Sequence, residues 1–125
     1  MQISVQYMTM IVRNMDASLH FYRDLLGFQE SYRVEPPGGG RITILRSSDG
    51  AAVELIEHPD FPVGLYSVGT DVDDLDAALE QLAAQNIRPE GPVTKTTVGR
   101  MAFITDPDGI RVCLIEHDPE FKPRR

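Results

Sequence analysis

The sequence predicts an α+β fold: two paired βαβββ modules forming a curved mixed sheet with a concave trough, helices on the outside. Three observations predict it. DGAAVELIEH at residues 49–58 returns as DGIRVCLIEH at 108–117, with seven of ten positions identical. VRNMDASL at 12–19 returns as VDDLDAAL at 72–79, and Arg41 at the head of RITIL returns as Arg100 at the head of RMAFI. The three offsets are 59, 60 and 59 residues, so one unit is written twice along nearly the whole chain. A fixed internal period of this kind decides the architecture before any local reading does. The modules then span 5–58 and 64–117, joined by PDFPVG (59–64), whose two prolines and glycine suit a short linker.

Each element of the first module follows from its residues. VQYMTMIV (5–12) mixes apolar and β-branched residues and reads as a strand. Asn14 offers a helix N-cap, and Asp16 in the first turn suits the helix dipole. Met15, Leu19, Tyr22 and Leu26 then form one helical stripe, and Gly27 is placed to end the helix in a left-handed conformation. FQESYRV (28–34) reads as a strand and EPPGGG (35–40) as its connection. RITILR (41–46) and AAVELIE (51–57) are strands joined by the turn residues SSDG.

The second module repeats the order. LYSVGTDV (65–72) is a strand, and Leu75, Leu79 and Leu82 make the stripe of the helix DLDAALEQLAAQN. IRPEGPV (87–93) is expected to be a strand broken by its proline. RMAFIT (100–105), the turn DPDG (106–109) and IRVCLIE (110–116) complete the unit. Residues 118–125 are polar and proline-containing and are expected to form a loose tail.

Composition bounds the function. A chain of 125 residues makes one ordinary domain, and 25% charged with 42% hydrophobic residues is globular composition. The net charge of −7 argues against nucleic acid, which a clustered basic surface would bind. Cys113 is the one cysteine, so no intrachain disulfide forms. No apolar run approaches the roughly 18 residues of a membrane span, and MQISVQYMTM lacks the pattern of a secretory signal. The expectation is a soluble, cytoplasmic protein whose partner is a small molecule rather than nucleic acid or membrane. No phosphate loop, nucleophile elbow or paired-cysteine motif is present.

Strand parity groups the side chains that carry chemistry. Glu54 and Ile56 share one face, as do Tyr7, Thr9 and Ile11, then Ser67, Gly69 and Asp71, then Arg111, Cys113 and Ile115. With Glu54 on the trough, these sets line it, while Met8, Met10 and Val12 pack beneath the helix. Glu54 is either a ligand or water contact in the trough or one half of a structural pair with Arg111 or Arg41. Arg41, Arg100 and Arg111 could each hold an anion bidentately, or serve as ordinary ion-paired residues. Tyr7 could donate to a ligand or sit in the core, and Cys113 could be a nucleophile or a small buried filler. His20 falls on the polar side of its helix. His58 and His117 are repeat equivalents, and His58 is some 13 Å along the strand from Glu54, too far to share an ion.

MTMIVRNMDASLHFYRDLLGF (8–28) and DPDGIRVCLIEH (106–117) resemble the vicinal oxygen chelate superfamily, which includes glyoxalases, bleomycin-resistance proteins and extradiol dioxygenases. The resemblance covers both halves. It implies paired βαβββ modules around a concave site, a homodimer, and in the metal-dependent members a divalent ion held by four ligands. Carried over by position, those ligands fall on Tyr7, Glu54, Ser67 and Cys113, so only Glu54 keeps the family's residue type. A phenol, a hydroxyl, a thiol and one carboxylate are a poor set for a hard ion or for zinc. The resulting expectation is no cofactor and no metal ligands. A small organic molecule would be bound by Tyr7, Thr9, Glu54, Ser67, Arg100, Arg111 and Cys113, either sequestered or acted upon. Two rivals stand beside it. One is a lyase, isomerase or dioxygenase using a divalent metal at Glu54; the other is a dimerisation module with a filled trough.

Overall fold

In a computed structural model, which describes residues 1–122, the first module comprises β1 (Ile3–Val12), α1 (Met15–Leu19), β2 (Gln29–Val34), β3 (Arg41–Arg46) and β4 (Ala52–Glu57). The second comprises β5 (Gly64–Val72), α2 (Leu75–Ala83), a two-residue β6 (Thr94–Lys95), β7 (Gly99–Thr105) and β8 (Arg111–His117). Each module is a mixed sheet of the same plan. The strand order is β2-β3-β4-β1 in one and β6-β7-β8-β5 in the other. The first and last strands pair in parallel, with Thr9 opposite Glu54 and Gly69 opposite Cys113. The remaining pairs are antiparallel. The expected α+β class and the doubled βαβββ order hold. Among the described residues, no helix is long and apolar enough to cross a membrane.

Residues 7–66 form one compact unit, and residues 1–6 group with the unit that begins at Ser67. The start of β1 therefore leaves the module it opens in sequence. In the first unit Met15 and Leu19 meet Leu45 and Leu55, with Met10, Val12 and Val53 packed around them. In the other, Leu75 meets Val72, Ala102 and Leu114, with Leu79, Leu82, Ile104 and Val112 around them. Each helix thus covers one face of its own sheet, which is the burial that holds each layer pair together.

The helix starts are built identically. Asn14 and Asp74 cap them, accepting from the backbone N–H of Ala17 and Ala77 at 2.9 and 3.0 Å. A strand carboxylate adds a second cap: Glu57 accepts from the Met15 N–H at 2.5 Å and Glu116 from the Leu75 N–H at 2.9 Å. Arg41 holds Glu57 at 3.2 Å and Arg100 holds Glu116 at 3.1 Å. The residue before each arginine is a glycine with positive φ, Gly40 at +84° and Gly99 at +154°. A Cβ there would stand 2.7 Å from the Glu57 carbonyl oxygen and 2.0 Å from that of Glu116, so only glycine fits the close approach.

Four expectations change. The first helix does not run regularly to Gly27. After Leu19 it widens into a π-helical stretch, His20–Leu25, where the Leu26 N–H donates to the Phe21 carbonyl at 3.0 Å. The wider turn rotates Leu26 off the apolar stripe and leaves it 52% exposed, while Gly27 still closes the segment at φ +80°. Met8 lies beyond the short helix and is exposed. Residues 87–93 form no strand; two prolines remove ladder donors, a single Glu90 N–H bond reaches the Phe103 carbonyl, and ladder pairing to β7 begins at Thr94. Residues 118–122 are not loose. The Asp118 N–H donates to the Val98 carbonyl, Pro119–Phe121 make a 3₁₀ turn, and Lys122 reaches Asp71 and the Val72 carbonyl, each at 3.3 Å. Residues 123–125 lie outside the described residues.

Candidate functional site

The parity set of the first module lies on the sheet face turned away from α1. Thr43, Leu45, Val53 and Leu55 alternate toward the helix, so their neighbours Ile42, Ile44, Glu54 and Ile56 face the other way. Thr9 and Ile11 join them from β1, both buried. Glu54 is the carboxylate among these apolar neighbours, and Arg46 ends the same row of β3. It is paired with neither Arg41 nor Arg111. The Thr9 hydroxyl donates to its Oε1 at 2.7 Å. Burial pushes the Glu54 carboxyl above its ordinary range, and the Thr9 hydrogen bond only partly opposes this. Tyr7, two residues before Thr9 and opposite Ala52, is half-buried.

The second module places Ser67, Cys113 and Arg111 on the corresponding face. Ser67 and Cys113 are both buried, at 2% and 5% exposure. The Cys113 thiol lies 3.6 Å from the Met101 sulfur, the environment of a packed filler rather than an activated nucleophile. Arg111 stacks its guanidinium 4.1 Å from the Phe103 ring centre and donates through Nε to Glu90 at 3.1 Å. Glu90 also accepts from the Thr105 hydroxyl at 2.6 Å.

Arg100 does not belong with these residues. In register it faces Glu116, and it shares a sheet face with Ala102 beneath α2. Its partners are Glu116 and Asp76, at 3.1 and 3.4 Å. Arg41 mirrors it with Glu57 and Asp16. Both arginines fasten a capping carboxylate to a helix start. Their guanidinium groups are raised above the ordinary range chiefly by those hydrogen bonds.

The residues that were harder to foresee sit at the far end of β5. Asp71 is fully buried, and its Oδ1 lies 2.7 Å from Nδ1 of His117. Lys122 approaches the same oxygen at 3.3 Å. The first module has Ile11 at the position of Asp71, 60 residues earlier, and Ile11 is equally buried. That substitution was the visible signal. His58, the repeat partner of His117, accepts instead from the Asp60 N–H at 3.1 Å and packs 4.7 Å from the Phe61 ring.

The sequence profile of the Glyoxalase/Bleomycin resistance protein/Dioxygenase superfamily matches residues 4–114. This chain belongs to that superfamily. Among its superfamily relatives is a lactoylglutathione lyase of Neisseria meningitidis, 31% identical over 119 residues and aligned over 84% of each chain. The methylmalonyl-CoA epimerase of Mycobacterium tuberculosis has the same fold, with a TM-score of 0.79 at 22% identity over 93% of this chain and 89% of that one. A hypothetical protein of Bacillus halodurans C-125 aligns with a TM-score of 0.82 at 14% identity, over 98% of this chain and all of the other.

The superfamily's divalent ion can be tested against the donors present. Glu54 is the one carboxylate among the four ligand positions, and it already accepts from Thr9 in surroundings that favour its neutral form. Tyr7, Ser67 and Cys113 supply a phenol, an aliphatic hydroxyl and a thiol. Oxygen-loving ions want several carboxylates or carbonyls, and zinc wants three good nitrogen, sulfur or carboxylate ligands. Among the described residues no group of three or more His, Cys, Asp or Glu side chains is placed to hold an ion. The donor set does not fit the group.

Proposed function

We propose that this chain binds a small, partly apolar organic molecule on the helix-free faces of its modules, without a divalent metal, either sequestering it or acting on it. The observation that supports this reading most is the state of Glu54. The one retained ligand position already accepts the Thr9 hydroxyl at 2.7 Å, which suits a polar anchor for a ligand. Ile42, Ile44 and Ile56 around it supply apolar contact, and few polar groups on an apolar lining is the usual make-up of a small-molecule site. Tyr7 and Thr9 add contacts in the first module on this reading, and Ser67, Cys113 and Arg111 offer those of the second, with Arg100 left out because it fastens α2. The net charge of −7 favours a neutral or cationic ligand.

A metal-dependent lyase is the second reading, and the name of the Neisseria meningitidis relative favours it. The homodimer implied by the resemblance belongs to either reading and is checked by sedimentation equilibrium. The two separate in a thermal-shift screen run with and without chelator. On the proposed reading, a small organic molecule from a metabolite and antibiotic set raises Tm through mass action, equally with and without chelator. Tyr7→Ala and Ser67→Leu then remove most of that shift. A shift that needs added metal, or one that both variants leave intact, contradicts the reading.

A further inference from the structure

We propose that Asp71 and His117 form a proton-transfer dyad on the helix-free face of the second module, with Nε2 of His117 as the base. Three observations carry this. The first is geometric. Asp71 Oδ1 stands 2.7 Å from His117 Nδ1, and a carboxylate only accepts, so Nδ1 carries the hydrogen and, in the neutral imidazole, Nε2 keeps its lone pair. That is how a carboxylate fixes the tautomer and orientation of a working imidazole, and how it stabilises the imidazolium formed when a proton is taken.

The second is the internal control that the duplication supplies. The fold is built without this acid in the first module, where Ile11 fills the position at 2% exposure. A carboxylate at 0% exposure is expensive to bury, and packing at this position does not require it. The third is placement. Val72 and Leu114 pack beneath α2, so Asp71 and His117 face away from it, on the side of Ser67 and Cys113. Charged groups at this end, among the described residues, include Lys122 on Asp71, Asp73 at 3.9 Å from Lys122, Asp118 next to His117, and Glu116 turned to the α2 start. Lys122 shares the Oδ1 oxygen of Asp71 with the imidazole.

The substrate class follows from the base. An imidazole steadied by a carboxylate takes a proton of modest acidity: a phenolic or enolic O–H, or a C–H flanked by two carbonyl groups. The proton passes to Nε2, the bonding pair stays on the substrate oxygen or carbon, and the imidazolium keeps its Nδ1–H on Asp71. This dyad rests on the proposed small-molecule site only for what is deprotonated. The test reads the histidine itself.

Carbethoxylation by diethyl pyrocarbonate at neutral pH, followed by peptide mass mapping, scores each histidine of the full chain. His20, 67% exposed, is the positive control, and His58, 20% exposed, is the partly covered one. The dyad predicts that His117 reacts despite its 8% exposure, at a rate no lower than that of His58. It further predicts that Asp71→Asn slows His117 severalfold and leaves His20 unchanged. An inert His117 beside reactive His20 and His58 overturns the proposal, and so does a His117 rate that Asp71→Asn does not alter. The wild-type measurement decides by itself should the variant fail to fold.

Discussion

Glu54 carries the most consequence for its size. It is a carboxyl on an apolar sheet face with Thr9 as its hydrogen-bond donor, and burial raises it above the ordinary carboxylate range. A carboxyl raised in the folded state favours folding when protonated. Its contribution is complete below the unfolded-state pKa and is lost as pH rises through the folded one. Glu54→Gln keeps an oxygen for Thr9 and removes the charge. We expect it to stabilise the chain by about 1 kcal/mol at pH 7, with the difference closing toward pH 4, in urea denaturation at the two pH values. Parity put Glu54 on its face from sequence alone. The Thr9 bond was not legible, because it depends on the register of two strands 45 residues apart, and nothing local fixes that register. Parity likewise grouped Asp71 with Ser67, but its pairing with His117 stayed hidden for the same reason, although Ile11 opposite Asp71 in the repeat was a signal to be used.

At the scale of elements, each module rests on a carboxylate that ties its last strand to its helix start. Glu116 is held below the ordinary range first by its hydrogen bond from Arg100 and then by the Leu75 N–H. A lowered carboxyl contributes stability above its unfolded-state pKa and loses it as pH falls through the folded value. Glu116→Ala is therefore expected to cost about 1–2 kcal/mol at pH 7 and less at pH 3, measured by denaturant melts. Glycine makes the neighbouring demand. Gly99→Ala drives a Cβ into the Glu116 carbonyl, and Gly40→Ala meets the Glu57 carbonyl at a longer distance. Both destabilise, Gly99→Ala the more, by upward of about 2 kcal/mol, which thermal unfolding of the pair would rank. The 59-residue offset made Arg41 and Arg100 visible as equivalents, yet their role required the antiparallel register, which pairs Arg100 with Glu116 and turns it toward α2. The π-helical widening after Leu19 left no trace in the apolar stripe that announced the helix.

At the scale of the whole chain, duplication made the architecture readable. Two copies of one strand-helix plan give each module the same mixed strand order, and apolar positions persist where packing under α1 and α2 needs them. On the helix-free faces the copies differ in chemistry-bearing residues: Glu54 against Cys113, Ile11 against Asp71. Those positions are released from packing under the helices, so they are where a superfamily member diverges in chemistry while keeping its fold. On the proposed reading, this divergence has removed the ion. Elemental analysis of the purified full chain, equilibrated with Zn, Ni, Mn and Fe and then desalted, tests it most directly. We expect metal far below one ion per chain and the same residual content in Glu54→Ala. Near-stoichiometric metal in the wild type that disappears in Glu54→Ala would contradict the account.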